Sequence, residues 1–202
     1  MVQPITGIVI MGTSGCGKST LGGRLADALG CRFVEGDDLH PAENVAKMAG
    51  GQALNDDDRW PWLKRVAGEL GNPGEAGCVV SCSALKRVYR DFIRGCAGDP
   101  VLFVFPQVDA TTLHDRLHRR PNHYMPPSLL QSQLATLEGP QMDEPVLELD
   151  GTQPVETLVA SVLHYLSTLS PNRDILAPGQ DAFGQAPTSS RPTNDIIPGM
   201  NR

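Results

Sequence analysis

Short apolar runs alternate with amphipathic stretches along the first 170 residues of the chain, each run closed by turn-forming residues. Five runs predict β-strands, at 5–11, 31–34, 78–82, 101–105 and 146–149. They are rich in Val, Ile and Phe and carry no interior Pro, as strands covered on both faces require. Between them the apolar period becomes helical. Leu21, Leu25, Ala28 and Leu29 mark a face that stops at Gly30, and Leu63, Val66, Ala67 and Leu70 mark another after the acidic run Asp56, Asp57, Asp58. Further helices are predicted at 85–96, 110–120, 128–138 and 155–169, the last with Leu158, Val162, Tyr165 and Leu169 in register. Strand and helix in alternation predict an α/β fold with parallel pairing. From Pro171 the sequence loses its apolar period and fills with Pro, Gly, Ser and Asn. The division expected is a folded domain over 1–170 and a disordered or loosely docked tail over 171–202.

Composition narrows this picture. With 202 residues, of which 40% are hydrophobic, the chain is long enough for one well-filled core without disulfides or structural metals. The 17 Lys and Arg against 23 Asp and Glu give a net charge of -6, which argues against a general nucleic-acid binder, so any basic site is local. No apolar run approaches the roughly 20 residues that span a bilayer, and MVQPITGIVIMG at the start lacks a cationic secretion-signal region. No membrane association and a cytoplasmic location are expected. Cys16, Cys31, Cys78, Cys82 and Cys96 are odd in number, lack close CxxC spacing and lie mostly in apolar runs. They read as small buried hydrophobes, with neither a disulfide framework nor a zinc site.

The chemistry enters at Gly12, Thr13, Ser14, Gly15, Cys16, Gly17, Lys18 and Ser19, which fit G-x-x-x-x-G-K-[ST] between an apolar strand and a helical pattern. Glycines let such a loop curl so that successive N–H groups face phosphate oxygens, and the helix that follows adds favourable partial charge. Lys18 would reach the β- and γ-phosphates of a nucleotide and Ser19 would ligate Mg²⁺, with Thr20 beside them. The same loop serves ATPases, GTPases and small-molecule kinases. No N-K-x-D guanine box occurs, and five strands in so short a chain leave little room for motor or transport modules. The best physical reading is a compact kinase for a small acceptor. A kinase for another small acid or nucleotide, a non-catalytic nucleotide switch and a plain ATPase are the rivals.

A kinase must hold the acceptor hydroxyl near the γ-phosphate, at the C-terminal ends of the strands. Asp37 follows the second predicted strand, and Gly36 would let its backbone approach a ligand; the competing reading is that Asp37 and Asp38 cap a helix before Pro41. Glu35 either holds Mg²⁺ through water or faces solvent. Arg59 is either a surface charge or a bidentate clamp for a carboxylate. Lys86, Arg90 and Arg94 share a helical face after the third strand, with Lys86 nearest the strand end. Arg116, Arg119 and Arg120 close another helix before Pro121 and Asn122, in a stretch that reads as a mobile lid. Arg116 and Arg120, four apart, share a face and suit a swing onto the phosphoryl groups, although cations favour any helix C-terminus. His40 and His123 adjoin the acceptor loop and the lid and can bond a polyol; a lone His is more often structural. Trp60 and Trp62 are expected to pack a small acceptor-binding region on the sheet. Asp150 to Pro154, after the last strand, is an adenine-side candidate by position, with an ordinary strand-to-helix turn as the alternative.

Four segments together resemble the gluconokinases: GTSGCGKST at 12–20, EGDDLHPAENVAKMAGGQALNDDDRWPWL at 35–63, CSALKRVYRDFIR at 82–94 and HYMPPSLLQSQLATLE at 123–138. The resemblance runs from about 7 to 169. It implies a three-layer α/β/α P-loop fold of the shikimate-kinase-like or adenylate-kinase-like kind, with a five-stranded parallel sheet, a small acceptor-binding helical region and a mobile lid. The activity it implies is transfer of the ATP γ-phosphoryl group to the 6-hydroxyl of D-gluconate with Mg²⁺, by a homodimer. It further implies that Asp37 holds the acceptor hydroxyl. Arg59 and Lys86, with Arg90 and His40, would meet gluconate, and Arg120 and His123 would act from the lid. The family's lid usually reads R-x-G-H-F; here it reads Arg120, Pro121, Asn122, His123, Tyr124.

Overall fold

The computed structural model describes residues 5, 7–72, 77–98, 100–119 and 127–169. Strands β1 (Gly7–Ile10), β2 (Arg32–Glu35), β3 (Cys78–Ser81), β4 (Val101–Gln107) and β5 (Val146–Asp150) form one sheet in the order β2-β3-β1-β4-β5. All four pairings are parallel. Each predicted strand is present, with ends moved by a few residues.

Alternation along the strands divides the core in two. Val9, Val80 and Phe103 face one side, where they meet Leu63, Val66 and Leu70 of α3 (Asp56–Gly71) and Tyr89 and Ile93 of α4 (Arg87–Ala97). Ile8, Ile10, Val79 and Val104 face the other, where they meet Leu21 and Leu25 of α1 (Lys18–Leu29) and Leu158 and Val162 of α7 (Val155–Leu169). Parallel strands buried on both faces need helices on both, and that is the three-layer arrangement expected. Helix α1 ends where the sequence places its stop: Gly30 is left-handed at φ 63°, and its N–H caps the Ala26 and Asp27 carbonyls.

A smaller cluster of Cys16, Leu113 and Leu130, supported by Leu117 and Leu134, packs α5 (Ala110–Arg119) and α6 (Pro127–Thr136) against the loop after β1. Helix α2 (Ala42–Ala49) and the 3₁₀ turn at Gly36–Leu39 are not among the predicted elements, although the competing reading of Asp37 and Asp38 set a helix cap by Pro41. Among the described residues no helix is long and apolar enough to cross a membrane. Cys16, Cys78 and Cys82 are buried as expected, Cys31 is half-buried, and Cys96 is exposed, contrary to the reading of buried hydrophobes.

Candidate active site

From β1, which lies between β3 and β4, the chain runs to β2 on one side, whereas β3 and β4 are each followed by a strand towards the other side, so the loop after β1 stands at the point where the strand order reverses. Ligands of open α/β sheets bind in the crevice outside the strand ends at that point. The loop is pinned there by its neighbours: Met11 N–H donates to the Val104 carbonyl at 2.8 Å and Gly12 N–H to that of Ser83 at 3.1 Å. Gly12, Gly15 and Gly17 take φ of 129°, 86° and 98°, conformations that admit glycine readily and side chains poorly. Thr13 is buried, and its carbonyl accepts from Lys18 Nζ at 3.1 Å, so the ammonium curls back over the loop. Among the described residues the N–H groups of Gly15, Gly17, Lys18 and Ser19 have no backbone acceptor. Four donors at the start of α1, with the positive end of the helix dipole behind them, form an anion cradle. Thr20 is exposed in the first turn of α1 and Cys16 is buried beneath the loop.

The Ser19 hydroxyl is exposed at the mouth of this cradle. Among the described residues no three His, Cys, Asp or Glu gather as a metal cage. Mg²⁺ is held against phosphates by one or two protein oxygens and several waters. Ser19 fits the role of one such oxygen.

The acceptor-side residues gather around the ends of β2 and β3. Burial pushes the Cys82 thiol up to about 12, Asp37 pushes it the same way, and Lys18 and Arg59 pull it down. Burial likewise holds His40 below its ordinary value, with Asp37 raising it and Arg59 lowering it. The His40 ring stacks on Trp62 at 4.1 Å, and Trp62 Nε1 donates to the Gly36 carbonyl at 2.7 Å. Asp37 itself is exposed at the strand end. The close approach that needs Gly36 is to the protein and not to a ligand: a Cβ there would lie 1.9 Å from the Ser81 carbonyl oxygen, and Gly36 N–H donates to Ser81 Oγ at 3.0 Å. Glu35 accepts from that same hydroxyl, which engages it inside the fold.

Arg59 and Lys86, predicted separately, meet over one ring. Their cationic groups lie 5.6 and 5.4 Å from the centroid of Tyr89. Lys86 Nζ reaches both oxygens of Asp56, at 2.8 and 2.9 Å, and Tyr89 Oη donates to Asp56 at 2.6 Å. Hydrogen bonds from Lys86 and Tyr89 hold the Asp56 carboxyl below the usual range. Asp56 and Tyr89 were missed: neither is singled out by the sequence as a site residue. Arg59 also donates to the Leu54 carbonyl through Nε and Nη2.

Arg90 requires a correction. Its side chain is fully buried in an ion pair with Glu144, Nε and Nη2 bonding the carboxylate at 2.6 and 2.8 Å, while Nη1 serves the Ala84, Leu85 and Glu138 carbonyls. Being 0% exposed, the guanidinium has no reach to a substrate. Its work is to hold the loop after β3, where Ala84 takes φ 40°, and so to place Lys86.

On the nucleotide side, Arg116 Nη2 donates to the Gly151 carbonyl at 2.9 Å. This brings a predicted phosphate residue against the turn after β5 that was the adenine-side candidate. Within that turn Asp150 accepts from Thr152 and Gln153 and is held down to about 2 by those bonds. Arg120 and His123 lie outside the described residues.

A phosphate cradle at the switch point of a parallel sheet, facing a cluster of acid and cations at the ends of β2 and β3, defines a P-loop phosphotransferase for a small polar acceptor. Residues 8–140 match the family described as AAA domain. The gluconokinase of Gluconobacter oxydans is 46% identical over 162 residues, covering 78% of this chain and 89% of the relative. A solved gluconokinase from Sinorhizobium meliloti 1021 superposes with a TM-score of 0.75 at 46% identity, covering 84% of this chain and 97% of that one. Shikimate kinase from Aquifex aeolicus shares the fold, with a TM-score of 0.52 at 16% identity over 83% of this chain and 99% of that one. The chain belongs to the gluconokinase family, ATP-dependent kinases that phosphorylate an alcohol group.

Proposed function

We propose that this protein transfers the γ-phosphoryl group of ATP to the 6-hydroxyl of D-gluconate, giving 6-phosphogluconate and ADP. The observation that carries the reading is the anion cradle after β1, tied through the Gly12 N–H to the Ser83 carbonyl in the turn after β3 that carries Lys86. It sets N–H groups suited to phosphates beside a cation suited to an acceptor carboxylate.

The free N–H groups of Gly15, Gly17, Lys18 and Ser19 hold the phosphates, and Lys18 follows the charge that moves onto the bridging and terminal oxygens. Ser19 would hold Mg²⁺, which would supply charge neutralisation for the phosphates. Asp37 receives the hydroxyl proton or orients the hydroxyl for in-line attack. Arg59 and Lys86 take the carboxylate and hydroxyls of gluconate, Lys86 exchanging Asp56 for substrate, and His40 bonds a further hydroxyl. Arg116 serves the nucleotide end; Arg120 and His123 complete the site during transfer. Residues 1–170 form the kinase domain and 171–202 a tail outside it, and the protein works as a cytoplasmic homodimer.

The test is Mg·ATP turnover with gluconate, shikimate, other sugar acids, nucleoside monophosphates and no acceptor. Release of ADP with gluconate, matched by 6-phosphogluconate and lost in Lys18→Ala, is the expected result. Asp37→Asn is expected to lower kcat about 10²- to 10⁴-fold, the range for a positioned acid or base. Preferential turnover of another acceptor overturns the substrate, and equal ADP release without any acceptor overturns the kinase.

A further inference from the structure

The Ser14 N–H, in the middle of the loop, donates to a residue 119 positions away: the side-chain oxygen of Gln133 on α6, at 2.7 Å. A backbone N–H can only donate, so the carboxamide oxygen faces the loop and the amide nitrogen is turned elsewhere. Gly12 and Ser14 are thus the loop positions tied to the body of the protein, through Ser83 and Gln133. Beyond Ser14, the N–H groups of Gly15, Gly17, Lys18 and Ser19 are left for phosphate.

Helix α6 is itself anchored at both ends of this contact. Leu130 and Leu134 pack with Cys16 and Leu113 beneath the loop. Just past the helix, Glu138 N–H donates to the Leu85 carbonyl at 2.8 Å and its carboxylate accepts from Arg87 N–H at 2.7 Å. The segment from Gln133 to Glu138 therefore bridges the phosphate loop and the turn after β3 that carries Lys86. Gly15 leaves no slack on the other side, since a Cβ there would meet Leu117 at 3.1 Å.

We propose that Gln133 is a positioning residue of the phosphate site, holding the Ser14 N–H so that the N–H groups from Gly15 to Ser19 stay aimed at the β- and γ-phosphates. The inference rests on the phosphate-site reading above. A loop released at Ser14 gains conformations in which its donors no longer converge, and preorganisation lost there is paid as nucleotide affinity.

The experiment measures ATP affinity by calorimetry and steady-state KM and kcat in Gln133→Met, which keeps length and packing but removes the acceptor oxygen, and in Gln133→Glu, which keeps an acceptor. In Gln133→Met, ATP affinity is expected to fall about tenfold, of the order of one lost hydrogen bond, with the KM for ATP following it. The KM for gluconate and the Tm without ligand are expected to stay near wild type. Gln133→Glu, with a carboxylate beside the phosphates, is expected to bind ATP more weakly still and to regain affinity as the carboxylate is protonated at lower pH. ATP affinity unchanged in Gln133→Met overturns the proposal, as does an equal loss of gluconate affinity, which would mark a general support of the fold. Lys18→Ala is titrated alongside: wild-type ATP affinity in that variant would remove the phosphate-site reading itself, a failure separate from that of Gln133.

Discussion

At the scale of single residues, buried charge decides what the site looks like. Arg90 and Glu144 are 0% and 1% exposed in their side chains, with the arginine on three carbonyls besides the carboxylate. Removing one partner of such a pair leaves the other charge unpaired inside the protein. Glu144→Ala is therefore expected to cost about 3–5 kcal/mol, read from the urea midpoint. The pH dependence follows from the same contact. The hydrogen bonds from Arg90 hold the Glu144 carboxyl below its ordinary 4.5, so its contribution is complete above pH 4.5 and fades as pH falls through the lowered folded value. Stability of the wild type should drop more steeply with acid than that of Glu144→Gln, and superimposable curves would refute the assignment. Nothing in the local sequence announces this pair. Spacing of four makes Lys86, Arg90 and Arg94 one cationic face, and the residue that draws Arg90 inward lies 54 positions away. Lys86 and Arg59 were legible because each stands beside a strand end or helix start. Tyr89 and Asp56, which bring them together, are readable only once α3 and α4 are packed.

At the scale of elements, the strands were legible because strands buried on both faces are continuous apolar runs, and α1 because its stripe ends on a glycine. Helix α2 was not, for a physical reason: of its eight residues Asn44 alone is buried. It docks by hydrogen bonds from that side chain to the Asp58 carbonyl at 2.7 Å and the His40 ring at 3.3 Å, so no apolar period marks it. Helix α3 begins with the acidic run where the sequence reading placed it before the helix. Asn55 accepts from Asp58 N–H at 2.9 Å while Asp58 accepts from Asn55 N–H at 2.8 Å, a reciprocal cap that satisfies two orphan donors. Pro61 lies six positions into α3 and removes one bond of its ladder, so the start of the helix depends on that cap. Asn55→Ala is expected to lose about 1 kcal/mol of stability in denaturant titration, and Asn55→Asp to lose far less. Gly36→Ala should be worse than either. Its Cβ would collide with the Ser81 carbonyl between β2 and β3, so both stability and acceptor KM should suffer, because Asp37 is the next residue.

At the scale of the whole molecule, the proposed site assignments place the two substrates on different elements. Phosphate donors come from the loop between β1 and α1, with Arg116 and the turn after β5 beyond it, whereas the acceptor residues come from the ends of β2 and β3 and from α3. Each substrate should then bind and stabilise the protein through its own set. A ligand present at 100 times its Kd adds about 2.7 kcal/mol, which for a chain of this size raises Tm by roughly 5–10 °C. ATP should give that shift in the wild type and in Asp37→Asn but little of it in Lys18→Ala. Gluconate should show the reverse, keeping its shift in Lys18→Ala and losing part of it in Arg59→Ala. Thermal unfolding of the four proteins with each ligand alone checks the division. If Lys18→Ala abolished both shifts, the acceptor would be binding to the phosphate loop, and the assignment of gluconate to the β2 and β3 ends would fall.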